Sequence, residues 1–271
     1  MSTHFENKTI VITGASSGIG EEAAFKLATR GSKVILVARR EDELQRVQKE
    51  IENLGGQAFI YAADLSDEAS VEAVTRKIIE EHAPIDVLVN NAGRSIRRPI
   101  RESLDRFHDF KRTMQLNYFG AVQMTLLMLP HMLERKSGQI INVSSMSALI
   151  PTPFYAAYVG SKGALDAFSR SVGAELADKG VQITTINYPL VKTPMTAPTK
   201  AYKYIRQMDV RDAAEWIVKA VEKRPARITS TMGNAWGLAT SAMPTTTVKW
   251  TGRLFNYGAK RLARKVKQEQ A

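Results

Sequence analysis

Cysteine is absent from the 271-residue sequence. Its absence excludes a disulfide framework, thiolate zinc sites, iron–sulfur clusters and a cysteine nucleophile, so any covalent chemistry falls to oxygen or nitrogen. Histidine is scarce: His4, His82, His108 and His131 stand at spacings that match no metal-ligand motif. They read as solvated or helix-surface side chains, and no metal is expected. Long hydrophobic runs are also missing, with nothing approaching the roughly 18 uninterrupted apolar residues of a membrane span. The opening MSTHFENKT lacks the basic-then-apolar order of a secretory signal. The expectation is a soluble, cytoplasmic protein.

Acidic side chains are in short supply, since 38 Lys and Arg face 27 Asp and Glu for a formal net charge of +11. Residues 94–112 hold seven basic and three acidic side chains, residues 249–267 hold seven basic and no acidic ones, and the remainder balances. Two local patches thus carry the whole excess and imply an anionic partner, whether nucleic acid, anionic lipid or a phosphorylated small molecule. Phe107 and Phe110 are the only aromatics in the first patch, too few to stack bases, which disfavours nucleic acid. Around the second patch, Trp250, Leu254, Phe255, Leu262 and Val266 are interspersed with the basic side chains. That mixture suits a helix lying on a membrane surface, or a tail packed on its own subunit or a partner; Gly252 and Gly258 count against a helix.

With 44% apolar side chains the chain can bury one sizeable core. Short β-branched runs (TIVIT, KVILV, AFIYA, IDVLV, QIINV, VQITTI and ARITS) alternate with stretches of helical period. Continuous Val and Ile, rather than alternating polarity, marks strands buried on both faces. The fold class is therefore α/β, a doubly wound parallel sheet of about seven strands with helices on both faces. Residues 1–230 form one domain with a substrate lid near 190–208, and 231–271 are a small-polar, then basic, C-terminal extension.

TIVIT runs into Gly14, Ala15, Ser16, Ser17, Gly18, Ile19 and Gly20, followed by a helix near Glu21. Glycines let the backbone turn sharply and approach a pyrophosphate, whose charge then meets the N–H groups and positive dipole end of the helix. After KVILV comes Arg39, where a carboxylate would repel a 2′-phosphate and a guanidinium would fork onto it, so NADP(H) is favoured over NAD(H). Tyr158 and Lys162, four residues apart on one helix face, pair a phenol with an ammonium that stabilises phenolate and brings its pKa closer to working pH. Such a phenol can give a proton to a substrate carbonyl oxygen, and Ser145, at the end of QIINV, can meet the same oxygen.

On these residues, with Asp64 after the third strand, Asn90-Asn91-Ala92-Gly93 after the fourth and Asn117 within a helix, the sequence resembles the short-chain dehydrogenase/reductase family over residues 7–230. The resemblance implies a single Rossmann-type domain and a catalytic tetrad of Asn117, Ser145, Tyr158 and Lys162. It also implies that Asp64 faces adenine, that Asn91, Ala92 and Gly93 run along the cofactor, and that Leu65, Val191 and Thr193 also bind it. One departure is Leu190, where the family's Pro-Gly after the sixth strand would have glycine, and it reshapes the nicotinamide pocket. Homodimers or homotetramers through helices before Leu133 and after Tyr155 are a further family expectation.

Residues 90–122 and 189–204 resemble, more closely, the bacterial fatty acyl-CoA reductases that form aldehydes. The implied reaction is NADPH-dependent reduction of a fatty acyl-CoA thioester by direct hydride transfer, with Tyr158 as proton donor. Arg94, Arg97 and Arg98 would meet the phosphates of coenzyme A, and Tyr155 and the apolar residues of 148–155 and 189–205 would enclose the acyl chain. Two other readings stay open: a ketone or alcohol oxidoreductase on a 3-oxoacyl, steroid or other lipid-like substrate with the same tetrad, and a non-catalytic NADP sensor or nucleic-acid-binding module.

Overall fold

The computed structural model of the chain describes residues 5–199, 202–203 and 205–269, with side chains along the last helix as far as Phe255. The seven β-branched runs form β1 (Thr9–Thr13), β2 (Lys33–Ala38), β3 (Gln57–Ala62), β4 (Val87–Asn90), β5 (Gly138–Ser145), β6 (Val181–Tyr188) and β7 (Arg227–Thr229). They pair in parallel in the order β3-β2-β1-β4-β5-β6-β7. Parallel neighbours require crossovers, here made by helices α1 (Gly18–Ala28), α2 (Glu41–Asn53), α3 (Glu68–His82), α4 (Phe107–Met114), α5 (Gly120–Glu134), α6 (Ala156–Glu175) and α7 (Val210–Lys223). Side chains alternate across a strand, so Ile10 and Ile12 of β1 enter a core with Leu36 and Ile217 while Val11 enters the opposite one with Ile35, Met124 and Met128. All five residues of β1 are buried, the burial that its unbroken apolar run predicts.

Order reverses between β1 and β4, and the crevice outside the carboxyl ends of these strands is where such sheets bind ligands. Thr13 fastens the two sides of this crevice. Its hydroxyl donates to the Val89 carbonyl at 3.2 Å and accepts the N–H groups of Asn91 and Ala92 at 2.9 Å each. Behind the crevice lies a buried polar ladder: Asn90 Nδ2 donates to Asn142 Oδ1 at 2.8 Å and Thr125 Oγ1 at 3.1 Å, and Asn142 Nδ2 donates to Ser169 Oγ at 2.8 Å. The ladder ties β4 and β5 to α5 and α6.

Beyond β7 the chain continues as α8 (Thr231–Ala242) and α9 (Pro244–Glu269) rather than as an irregular extension. Pro244 is pre-set for a first helical position, and Lys, Arg, Ala and Gln outweigh Gly252 and Gly258, which cost about 1 kcal/mol each. The basic side chains from Lys260 onward lie outside the described residues, as does His4. His82 is not at the surface as expected: it closes α3 against β3, with its ring 4.5 Å from that of Phe59 and Nε2 2.7 Å from the Tyr61 hydroxyl. Burial, with Lys33 nearby, lowers its pKa. His108 and His131 are exposed as expected. No described helix is long and apolar enough to cross a membrane.

Removing one rung of the ladder tests its role. Asn142→Ala is expected to destabilise the fold by about 1–3 kcal/mol, the cost of breaking buried hydrogen bonds, read as a lower denaturant midpoint at unchanged slope.

Candidate active site

The crevice opens into a cavity of about 680 Å³. Its floor is the turn between β1 and α1. Gly14 (φ +66°) and Gly18 (φ +63°) adopt the left-handed conformation, and a Cβ at Gly14 would stand 2.9 Å from the Ala92 Cα. At Gly20 a Cβ would meet the Gly14 carbonyl oxygen at 2.5 Å. Only glycine lets this turn pack so closely against the residues after β4, leaving backbone facing the cavity. Arg40 braces the turn from outside, donating to the Ser16 carbonyl at 3.3 Å and its hydroxyl at 3.2 Å.

Most residues singled out in the sequence come together here: Gly14, Ser16, Ser17, Gly18, Ile19, Arg39, Leu65, Asn91, Ala92, Gly93, Arg94, Ser145, Tyr155, Tyr158, Lys162, Val191 and Thr193 all line the cavity. Asn91 also staples the turn, its Nδ2 donating to the Thr13 carbonyl at 2.8 Å. Asp64 sits between lining residues and accepts from Ser66 N and Oγ at 2.9 and 2.6 Å. Those bonds, helped by Arg39 and Arg94, hold its pKa below the usual carboxylate value. Leu190 lines the cavity without a left-handed φ, so the expected glycine is not required by the backbone here. Its carbonyl accepts from Met208 N at 2.8 Å, and a bridge between Val191 and Met208 fastens the neck of the 191–208 loop.

Asn117 lies on a π-helical turn, Gln115–Phe119, between α4 and α5. Such bulges aim a side chain that a regular helix would direct elsewhere. Its Nδ2 donates to the Arg94 carbonyl and to Ser161 Oγ, both at 2.9 Å, and Oδ1 accepts the Arg94 N–H at 2.8 Å. Asn117 is therefore the buried clamp on the loop after β4.

Tyr158 and Lys162 project from α6 toward the end of β5. The Ser145 hydroxyl hydrogen-bonds the Tyr158 phenol, and Lys162 Nζ donates to the Val143 carbonyl at 2.7 Å. Their titration differs from the simple expectation of an ammonium drawing the phenol downward. Burial pushes Tyr158 up to about 12, with the Ser145 bond opposing and Tyr202 adding. Burial likewise pushes Lys162 down to about 8. Desolvation disfavours the charged form of both groups and outweighs their proximity.

The basic patch divides into parts. Asp109, 4% exposed at its side chain, ion-pairs with Arg106 and Arg112 at 2.9 Å and with Arg98 at 3.4 Å. Arg106 foremost, with His108 and Arg112, keeps its pKa low. Arg98 is thus committed within the protein rather than extended toward a ligand. Arg94 is half-buried, its Nε has no hydrogen-bond partner, and burial together with Arg112 and Arg39 lowers its pKa. Arg97 is exposed and lies 5.0 Å over the Phe154 ring.

Residues that the sequence did not assign to the site complete the cavity. Tyr202 of the loop hydrogen-bonds the Tyr155 phenol, and burial raises the Tyr155 pKa. Met232 of α8 and Phe255 of α9 enter from the C-terminal helices. No spacing in the sequence announces them, because they reach the site through tertiary packing alone.

A model of the family described as short chain dehydrogenase matches residues 8–204. The chain is 49% identical over 239 residues to a fatty acyl-CoA reductase of Acinetobacter baylyi, covering 88% of this chain and 81% of that one. It is 42% identical over 248 residues to a fatty acyl-CoA reductase of Mycobacterium tuberculosis, covering 91% and 83%. Among solved structures, an actinorhodin polyketide ketoreductase variant with NADPH superposes with a TM-score of 0.75 at 27% identity, covering 84% of this chain and 96% of that one. A metagenomic short-chain oxidoreductase in complex with NADP gives 0.73 at 27%, covering 84% and 98%. With the glycine turn, the buried asparagine clamp and the Ser145, Tyr158 and Lys162 cluster on one cleft, the chain belongs to the short-chain dehydrogenase family.

Proposed function

We propose that this protein reduces a long-chain fatty acyl-CoA to the fatty aldehyde with NADPH. The observation that carries the reading is one cavity lined together by the glycine turn, by Ser145, Tyr158 and Lys162, and by the apolar side chains of Met146, Ile150, Leu190, Met195, Ile205, Met232 and Phe255. The 49% identical relative is named a fatty acyl-CoA reductase, and two structural neighbours hold NADPH or NADP.

The glycine turn takes the pyrophosphate, and Arg39 takes the 2′-phosphate of the adenosine ribose. Arg94, beside Arg39 and Asp64, serves the same anionic end rather than coenzyme A. NADPH bound there supplies the hydride that reduces the thioester carbonyl carbon. Tyr158, protonated up to about pH 12, is the proton donor to the oxygen that becomes negative, and the Ser145 hydroxyl hydrogen-bonds that oxygen. Lys162 as ammonium stabilises the phenolate left behind. In the resulting thiohemiacetal the carbon–sulfur bond breaks as Tyr158 recovers its proton, and the coenzyme A thiolate leaves with the aldehyde remaining. Without cysteine no acyl-enzyme is needed, and Asn117 keeps the loop before Arg94 in place throughout. Arg97 is the exposed guanidinium at the mouth for the coenzyme A phosphates.

A ketone or alcohol oxidoreductase with the same tetrad is the second reading, favoured by the ketoreductase neighbour. In either case the chain works as a homodimer or homotetramer, where α5 and the π-helical turn leave Phe119 and Leu126 exposed. The basic tail adds attraction to anionic lipid.

Purified protein with NADPH and an acyl-CoA chain-length series is expected to release thiol and aldehyde in equal amounts; ketone reduction without thiol release would overturn the thioester reading. Arg39→Asp removes a forked charged contact of about 1.5–3 kcal/mol, so KM for NADPH should rise on the order of tenfold to hundredfold while KM for NADH changes little. A buried lysine with a lowered pKa loses its charge above that value. The kcat/KM for reduction should therefore fall as pH rises through about 8, and Lys162→Arg should remove that limb. Arg97→Ser should raise KM for acyl-CoA more than for a free aldehyde or ketone.

A further inference from the structure

The cavity mouth shares one surface with the C-terminal helices. Met195 and Ile205 of the loop and Met232 of α8 line the cavity and are also about half exposed. From Met232 the exposed large apolar side chains continue through Leu238, Met243, Val248, Trp250 and Leu254. Six of the fourteen such side chains among the described residues therefore fall within 232–254, a concentration that scattered surface residues do not produce. On α8, Met232, Ala235, Leu238 and Ala242 recur every three or four residues and are all exposed, which makes one uncovered face. On α9, Thr247 and Thr251 are buried against the body while Trp250 and Leu254 are 62% and 53% exposed.

Among the described side chains the charge here has one sign: Lys192, Lys203 and Arg206 lie within residues 189–208, Lys249 and Arg253 within 231–255, and neither stretch contains an acidic side chain. Lys249 and Arg253 flank Trp250 and are exposed. An apolar centre bordered by cations complements a surface that is negative outside and hydrocarbon inside. A second copy of the chain is a poor occupant: a two-fold contact here would bring the same acid-free segments face to face.

We propose that α8, the start of α9 and the rim of the 191–208 loop dock on a bilayer containing anionic lipid, so that the cavity opens at the level of the acyl chains. An acyl chain then enters, and its reduced product leaves, through the lipid interface instead of through water. The route of the chain rests on the acyl-CoA reading; the docking does not.

The test uses the full chain and vesicles of phosphatidylcholine with or without phosphatidylglycerol. Expected are co-sedimentation with the anionic vesicles only, loss of binding at high salt, and quenching by brominated acyl chains that falls in Trp250→Phe, which keeps Trp216 and Trp236. The double variant W250Q and L254Q should lower vesicle partitioning at least tenfold while leaving turnover of a soluble short-chain acyl-CoA unchanged, which also shows that it is folded. Equal binding to neutral vesicles, no binding, or quenching unaffected by Trp250→Phe would overturn the proposal. So would a fall in oligomeric mass of the double variant in sedimentation velocity, which would make the face a contact between copies. Vesicle binding by a protein that turns over no acyl-CoA would support the docking and overturn the reductase reading.

Discussion

A single ammonium buried at the end of a strand organises the rest of the site. Lys162 Nζ donates a hydrogen bond to the Val143 carbonyl at 2.7 Å, which helps it hold a charge there, and desolvation still lowers its pKa. The same packing of α6 on β5 sets the Tyr158 phenol beside Ser145 and away from bulk water. A phenol so placed keeps its proton at working pH, which suits a donor to a forming alkoxide better than a standing phenolate would. The asparagine ladder beneath, from Asn90 through Asn142 to Ser169, fixes the distance between the strand ends and the helix that carries both groups.

Much of this was legible in the sequence because local rules and the global fold agree. The unbroken Val and Ile runs became seven parallel strands, and Gly14 to Gly20 became the turn that only glycine allows at φ +66° and +63°. What sequence missed depended on tertiary environment. Spacing puts Tyr158 and Lys162 on one face, but does not reveal the burial that raises the Tyr158 pKa where the ammonium alone would lower it. The π-helical turn that aims Asn117 has no residue signature, and His82 is buried by Phe59 and Tyr61 of the preceding strand only once α3 folds back on it. In α9, two glycines were read against a helix that favourable neighbours sustain.

Charge counting was least reliable where ions meet inside the fold. A net +4 over residues 94–112 suggests a free cationic surface, yet the nearly buried Asp109 gathers Arg98, Arg106 and Arg112. Arg94 lines the cavity, whereas Arg97 is exposed and lies over the Phe154 ring.

The bridge between Val191 and Met208 separates two jobs along one stretch of chain. Strain or insertion between those residues is absorbed within the loop, because its two ends are already joined where they leave the sheet. The segment can thus be lengthened, shortened or exchanged as a cassette, altering which molecules fit the cavity while Ser145, Tyr158 and Lys162 stay in register.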